Sequence, residues 1–331
     1  MKKILIIRFS SIGDIVLTTP VVRCLKKQLN VEVHYLTKSS FGGMLNHNPY
    51  VDRVHTIDKE IDANLLQKLK AENFDFVVDL HHNLRTLRLK KHLKRPSKSF
   101  PKLNIHKWLL VNLKVNKMPD IHIVDRYMET VKHLGVKNDH EGLDYFIPED
   151  SMVDLSRLPD LQANGYVGLV IGGQHATKMM PVKKLIEVCE KLNEPIVLLG
   201  GLEDAHRGEE ISNAVGDKVF NACGKFKLDE SASLVQQALW IITHDTGLMH
   251  IAAAFKKRIV SVWGNTVPEL GMYPYMPDPK SKIVEVKGLS CRPCSKIGYS
   301  KCPKGHFKCM EHDVNEVLGT RYVSRLVFPN N

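Results

Sequence analysis

Continuous apolar runs recur along this chain, and each stops abruptly at glycine or small polar residues. Ile4-Leu5-Ile6-Ile7 leads to Ser10-Ser11-Ile12-Gly13-Asp14, and Tyr166 to Ile171 leads to Gly172-Gly173-Gln174. Pro195 to Leu199 ends at Gly200-Gly201, the run from Trp240 ends at His244-Asp245-Thr246, and Arg258 to Trp263 ends at Gly264-Asn265-Thr266. Val31 to Leu36, Val54 to Ile57, Phe74 to Leu80 and Val219 to Ala222 are further strand candidates. Strands without polar alternation are covered on both faces, the condition of a parallel sheet packed between helices. Helical periodicities fill the intervals: Val16 to Leu25, Leu65 to Leu69, Val124 to Leu134 with Gly135 as C-cap, Lys183 to Leu192, a helix from about Asp204, and Asp229 to Leu239. The alternation halts at the polar, proline-bounded stretch Pro148 to Pro159 and then starts afresh. The restart predicts two α/β units, 1–155 and 156–331, each with a parallel sheet and right-handed crossovers. A chain of 331 residues suits two cores better than one.

Open parallel sheets bind ligands outside the carboxyl ends of their strands. The stretch Trp240 to Ala254 is built for this: a buried strand, a tight turn at Asp245-Thr246-Gly247, then a helix of small residues. Free N–H groups at such a helix start attract anions. Asp245 and Thr246 read equally well as ordinary caps of that helix, and so does Asp14 in the first turn. The Ser10–Asp14 turn lacks the G-x-G-x-x-G spacing of a dinucleotide fold.

Charge is distributed unevenly. From Arg85 to Lys117 there are eleven Lys or Arg residues and no Asp or Glu, leaving 36 basic and 36 acidic side chains elsewhere. The formal net charge of +11 therefore resides in one segment, which suggests an anionic partner: a nucleic acid, a membrane surface or a phosphorylated substrate. Arg8 and Asp14 interrupt the N-terminal apolar run and no small-residue cleavage site follows, so it is not read as a signal peptide. No apolar run reaches membrane-spanning length, and a cytoplasmic location is expected. Of seven cysteines, Cys24, Cys189 and Cys223 lie in apolar contexts as inert thiols, while Cys291, Cys294, Cys302 and Cys309 are spaced C-x2-C-x7-C-x6-C. Four thiolates so spaced suit a structural zinc site, although the second pair is spread wider than in a standard knuckle.

Ser10-Ser11-Ile12-Gly13-Asp14, Thr177-Lys178-Met179-Met180-Pro181 and Asp245-Thr246-Gly247-Leu248-Met249-His250-Ile251-Ala252-Ala253, in that order and followed by Val262-Trp263-Gly264-Asn265-Thr266, resemble the bacterial lipopolysaccharide heptosyltransferases of glycosyltransferase family 9. The resemblance runs through nearly the whole chain. It implies a GT-B architecture, two Rossmann-like domains facing across a cleft, with the acceptor on the first and the nucleotide sugar on the second. It further implies an inverting transfer that requires no metal or other cofactor, with ADP-heptose as donor and a phosphorylated, acidic lipid A-linked acceptor at the inner-membrane surface. By the same resemblance Asp14 is the general base, taking the acceptor hydroxyl proton as that oxygen attacks the anomeric carbon. Thr177 and Lys178 face the leaving diphosphate, and Thr246, Gly247 and Leu248 offer it backbone N–H groups. Asp245, His250 and Glu203 are expected at the nucleotide, while Ser11, Gly13, Arg85 and Arg88 are expected at the acceptor. Met180 stands where many relatives carry Trp, which removes an aromatic stacking surface. The basic segment, with Arg85, Arg88, Lys90, Lys91, Lys94, Arg95 and Lys98, then reads as the lipid-facing side, and the patch around Trp108 as a membrane contact. An RNA-binding protein lacks interleaved aromatics and a recognisable motif here, and a non-catalytic nucleotide-sugar sensor has no need of Asp14.

Overall fold

The computed structural model describes residues 1–319. Five strands form the first sheet: β1 (Lys2–Ile7), β2 (Val31–Lys38), β3 (Arg53–Ile57), β4 (Phe76–Asp79) and β5 (Ser97–Ser99), in the order β3-β2-β1-β4-β5 and all parallel. Six form the second: β6 (Val167–Val170), β7 (Ile196–Leu199), β8 (Val219–Asn221), β9 (Trp240–His244), β10 (Ile259–Trp263) and β11 (Lys282–Glu285), in the order β11-β10-β9-β6-β7-β8, again all parallel. The apolar runs thus became central strands, and β6, β7, β9 and β10 are buried at every residue.

The strand orders locate the functional edge. In the first sheet the chain winds outward from β1 through β2 and β3, then restarts on the other side with β4 and β5, so the reversal lies between β1 and β4. In the second sheet it lies between β6 and β9. A crevice opens at the carboxyl ends of the strands flanking each reversal. Asp14 follows β1, Lys178 follows β6, and Asp245 to Gly247 follow β9. All the principal expected residues therefore stand at the two switch points.

The halves share one apolar core. Ile4, Leu17 and Tyr127 belong to the same buried cluster as Ile241, Met249 and Ile251. Hydrogen bonds reinforce it: the Ile123 amide donates to Gly271 O at 2.8 Å, the Tyr145 hydroxyl to Asp229 Oδ1 at 2.5 Å, and the Val153 amide to Ser233 Oγ at 2.9 Å. The stretch Pro148 to Pro159 forms two short turns, Glu149–Ser151 and Leu155–Arg157, laid on the second half. The expected helix 124–134 is shorter than its periodicity suggested. It runs Ile123–Met128, breaks, and closes with a turn at Lys132–Leu134 before Gly135 at φ 84°.

The basic segment is more structured than its composition suggested. It contains a helix, Leu84–Leu93, capped by Asn83, whose side chain accepts the Thr86 amide at 3.0 Å. The edge strand β5 follows, then a helix at Asn104–Trp108 that widens into a π turn at Leu109–Leu113. Not all its charge is free for a ligand. Lys90, counted above among the lipid-facing cations, pairs at 2.8 Å with the fully buried Asp79, which also caps the turn after β4 by accepting the His82 amide at 2.7 Å.

Candidate active site

Asp14 lies in the first turn of the helix Ile12–Val16. Its Oδ2 accepts the Ser11 amide at 3.1 Å and the Ser11 hydroxyl at 3.0 Å, while Oδ1 pairs at 2.6 Å with Arg8 at the end of β1. The same carboxylate is thus both a cap and one half of an ion pair. Burial pushes its pKa up, but the Arg8 charge and the Ser11 hydrogen bonds outweigh that, and the net shift is downward from 3.8. Arg8 is itself fixed by Ser10 O at 2.8 Å, Leu80 O at 2.6 Å and the Tyr127 hydroxyl at 3.1 Å. This arrangement makes a measurable statement. With Asp14 as the expected base, its protonation would stop transfer, so the acid limb of kcat/KM should fall below pH 3.8. Arg8→Gln removes the largest influence lowering that pKa and should move the limb to higher pH; an unmoved limb in the variant's pH–rate profile would sink the assignment.

Opposite stands the Lys178 ammonium, 2.6 Å from Asp245 Oδ2. Thr266, from the turn after β10, donates its hydroxyl to the same oxygen at 3.0 Å. Asp245 therefore fixes Lys178 on its way to the helix start. Thr246 is the N-cap of the helix Gly247–Ala254, with extended backbone, so the amides of Gly247 and Leu248 open that helix without a side-chain cap on them. A lysine and a helix N-terminus converging on one edge have the chemistry to hold an anion such as a diphosphate.

The two sides meet through glycine. A Cβ on Gly13 would stand 2.5 Å from His250 Cδ2 and 3.4 Å from Gly247 Cα; a Cβ on Gly247 would stand 2.8 Å from Ile12 Cγ2. Neither position has room for a side chain, and the absence of both lets the helix of Asp14 rest on the helix start beyond Lys178. His250 fills this junction. Burial holds its pKa down to about 4 against the charges of Asp245 and Asp14, so it is neutral near pH 7.

The glycosyltransferase family 9 (heptosyltransferase) model matches residues 63–303. The chain belongs to this family. It is a glycosyltransferase of GT-B architecture. Lipopolysaccharide heptosyltransferase 1 of Campylobacter coli is 25% identical over 288 residues, which is 80% of this chain and 84% of the relative. Among solved structures, a family 9 glycosyltransferase from Veillonella parvula superposes with TM-score 0.75 at 21% identity, over 96% of this chain and 95% of its own. The ADP-heptose heptosyltransferase II of Escherichia coli gives TM-score 0.68 at 19% identity, over 97% and 99% of the two chains.

Other expected residues of this glycosyltransferase are placed differently. Thr177 is buried, and its hydroxyl both donates to Tyr299 O at 3.1 Å and accepts the Tyr299 amide at 2.8 Å. It ties the C-terminal segment to the Lys178 loop, which corrects the expectation of a hydroxyl free for phosphate. Glu203 is exposed in the turn Leu202–Asp204, whereas its neighbour Asp204 is buried and accepts the Gly201 amide at 3.0 Å. Arg85 lies over the Phe9 ring at 5.1 Å and donates to Lys59 O at 2.8 Å, beside the Ser10–Ser11 turn, while Arg88 is exposed. Met180 is buried, and its amide donates to His244 Nε2 at 3.0 Å. Cys24, Cys189 and Cys223 are buried thiols. Cys294 Sγ is directed at Cys291 O, 3.0 Å away, and Cys291 Sγ lies 3.8 Å from His306 Nε2. Among the described residues, the group of His, Cys, Asp or Glu drawn to within 4.8 Å of one another is His34, His55 and Glu72, so the four sulfurs are not gathered at coordination distance. Arg8 and Thr266 were missed. A charge ending an otherwise apolar strand, six residues before an aspartate, was the available signal for Arg8.

Proposed function

We propose that this enzyme transfers a heptose from ADP-heptose to a lipid A-linked inner-core acceptor of lipopolysaccharide, with inversion. The observation carrying this reading is the Asp14 carboxylate set across the Gly13–Gly247 contact from Lys178 and the helix start at Thr246. Asp14 takes the proton of the acceptor hydroxyl, whose oxygen bonds to the anomeric carbon from the face opposite the leaving group. The bond from that carbon to the diphosphate oxygen breaks, and ADP departs with its charge met by Lys178 and the Gly247 and Leu248 amides. In this scheme the chain's own cation and amides supply what a metal would otherwise contribute, and no cofactor is needed. The unit 1–155 holds the acceptor, with Ser11, Gly13, Arg85 and Arg88 along its edge, and the unit 156–331 holds the donor.

No helix among the described residues is long and apolar enough to cross a membrane. The basic segment instead exposes Ile105 and Trp108 at 74% and 55% beside Lys107, which suits shallow contact with an anionic cytoplasmic membrane face. Incubating the purified enzyme with a deacylated inner-core acceptor and ADP-heptose, UDP-glucose or GDP-mannose in turn tests the donor. Turnover with ADP-heptose is expected, and turnover confined to either other donor would overturn the reading.

A further inference from the structure

Two histidines and two carboxylates converge on one face of the first sheet. In the parallel pairing of β2 with β3, His34 stands opposite Arg53 and Leu36 opposite His55. Strand alternation therefore puts Glu32 and His34 of β2 on the same face as Arg53 and His55 of β3. Glu72, the C-cap of the helix Ala63–Ala71, joins them there. One ligand atom each from His34, His55 and Glu72 lies within 4.8 Å of the other two. His34 is fully buried, while His55 and Glu72 are half-buried. Lys3, at the start of β1, contacts this group, whereas Asp14 follows the far end of the same strand. The cluster thus belongs to the amino ends of the strands and takes no part in the candidate active site.

The hydrogen bonds prepare a lone pair in this cluster. His34 Nε2 lies 2.7 Å from Glu32 Oε1, and a carboxylate can only accept, so Nε2 carries the ring proton and Nδ1 does not. His55 Nε2 stands 2.9 Å from that bare Nδ1, with the two rings inclined at 28°. A carboxylate on the far nitrogen is the support that metal-binding histidines use, because it fixes the ring and raises the basicity of the ligating nitrogen. Glu72 is positioned by Lys3 at 2.9 Å on Oε2 and by Arg53 on Oε1, and each oxygen keeps a further lone pair. Phe74 stands edge-on to both rings, at 5.1 and 6.3 Å, and gives the group an apolar flank.

We propose that His34, His55 and Glu72 bind a zinc ion, with Glu32 holding His34 and solvent in the fourth position. Imidazole ligands suit zinc, whereas magnesium and calcium take oxygen. The two nitrogens need to open only from 2.9 Å to about 3.3 Å, the edge of a tetrahedron with zinc–nitrogen bonds of about 2.0 Å. The charges of Lys3 and Arg53 oppose a dication and set a modest affinity. The ion would clip β2, β3 and the helix Ala63–Ala71 together, stabilising the first half without entering the chemistry of transfer.

Cobalt(II) titrated into the full-length, chelator-stripped enzyme tests this, because its spectrum separates nitrogen and oxygen ligands from the thiolates of the C-terminal cysteines. A saturable ligand-field absorption without a sulfur charge-transfer band is expected, and zinc should displace it. Zinc in hundredfold excess over its Kd should raise Tm by roughly 3 °C. His55→Gln should weaken cobalt binding by about tenfold or more, and Glu32→Gln, which removes only the support of His34, by about tenfold. Glu72→Gln should weaken it as well without altering either ring, and all three variants should keep wild-type ADP affinity as evidence of folding. Absence of that absorption in the wild type, a spectrum of thiolate type alone, or an unchanged cobalt affinity in both His55→Gln and Glu72→Gln would overturn the proposal and leave His34 and His55 as hydrogen-bond partners only.

Discussion

Asp14→Asn should lower the rate of transfer by about 10²–10⁴-fold, the usual worth of a positioned general base. The amide keeps the shape of the carboxylate but cannot take the acceptor proton. Because Oδ2 also caps the Ser11 turn and Oδ1 pairs with Arg8, the same change removes a largely buried ion pair. That loss should cost about 3 kcal/mol of stability, at the lower end of what breaking such pairs costs, since Arg8 retains three other acceptors. The two effects separate by measurement. Single-turnover rates well below the melting temperature report chemistry, and ADP affinity reports the donor side. A variant that binds ADP normally, is folded at the assay temperature and still turns over at the wild-type rate would refute the base assignment.

Lys178→Ala should lower kcat by about 10²–10³-fold, as expected for removing a group that meets charge developing on the leaving oxygen. ADP affinity should fall with it. The Lys178–Asp245 pair at 2.6 Å gives this prediction a further consequence. Without the lysine, the Asp245 carboxylate stands uncompensated at the helix start, where it repels the incoming diphosphate. Adding Asp245→Asn to Lys178→Ala should therefore restore part of the lost ADP affinity, although Asp245→Asn alone should weaken it. Strict additivity in calorimetric titrations of the four proteins would show that the pair does not act as a unit.

The central strands were legible because a parallel strand buried on both faces carries a continuous apolar run, as Ile4–Ile7 does in β1, Val167–Val170 in β6 and Trp240–Ile242 in β9. The edge strands escaped for the converse reason. Ser97-Lys98-Ser99 has no buried face to write into its sequence, and Lys282–Glu285 begins and ends on charge. The helix Ser39–Asn46 was masked by Gly42 and Gly43, poor helix formers, of which Gly42 is buried against Thr56. The candidate site was legible where each residue follows its own strand, since a strand end and a polar turn are local signals. Pairings across distance were not. Nothing in the sequence says that Lys178 meets Asp245, 67 residues on, or that Thr177 spends its hydroxyl on Tyr299, 122 residues on.

The contact between Gly13 and Gly247 bears on how this enzyme treats water. The Asp14 carboxylate and the proposed phosphate site belong to different halves, and the close approach of Gly13 and Gly247 brings their two helices together. Parting the sheets by a single side-chain diameter would separate base from leaving group, so a water molecule entering the opened crevice would meet an activated sugar with half the machinery absent. Under the proposed reaction, wasteful hydrolysis of the donor is restrained by the way the halves touch, and a bulkier residue at either glycine should raise donor hydrolysis before it disturbs the binding of nucleotide.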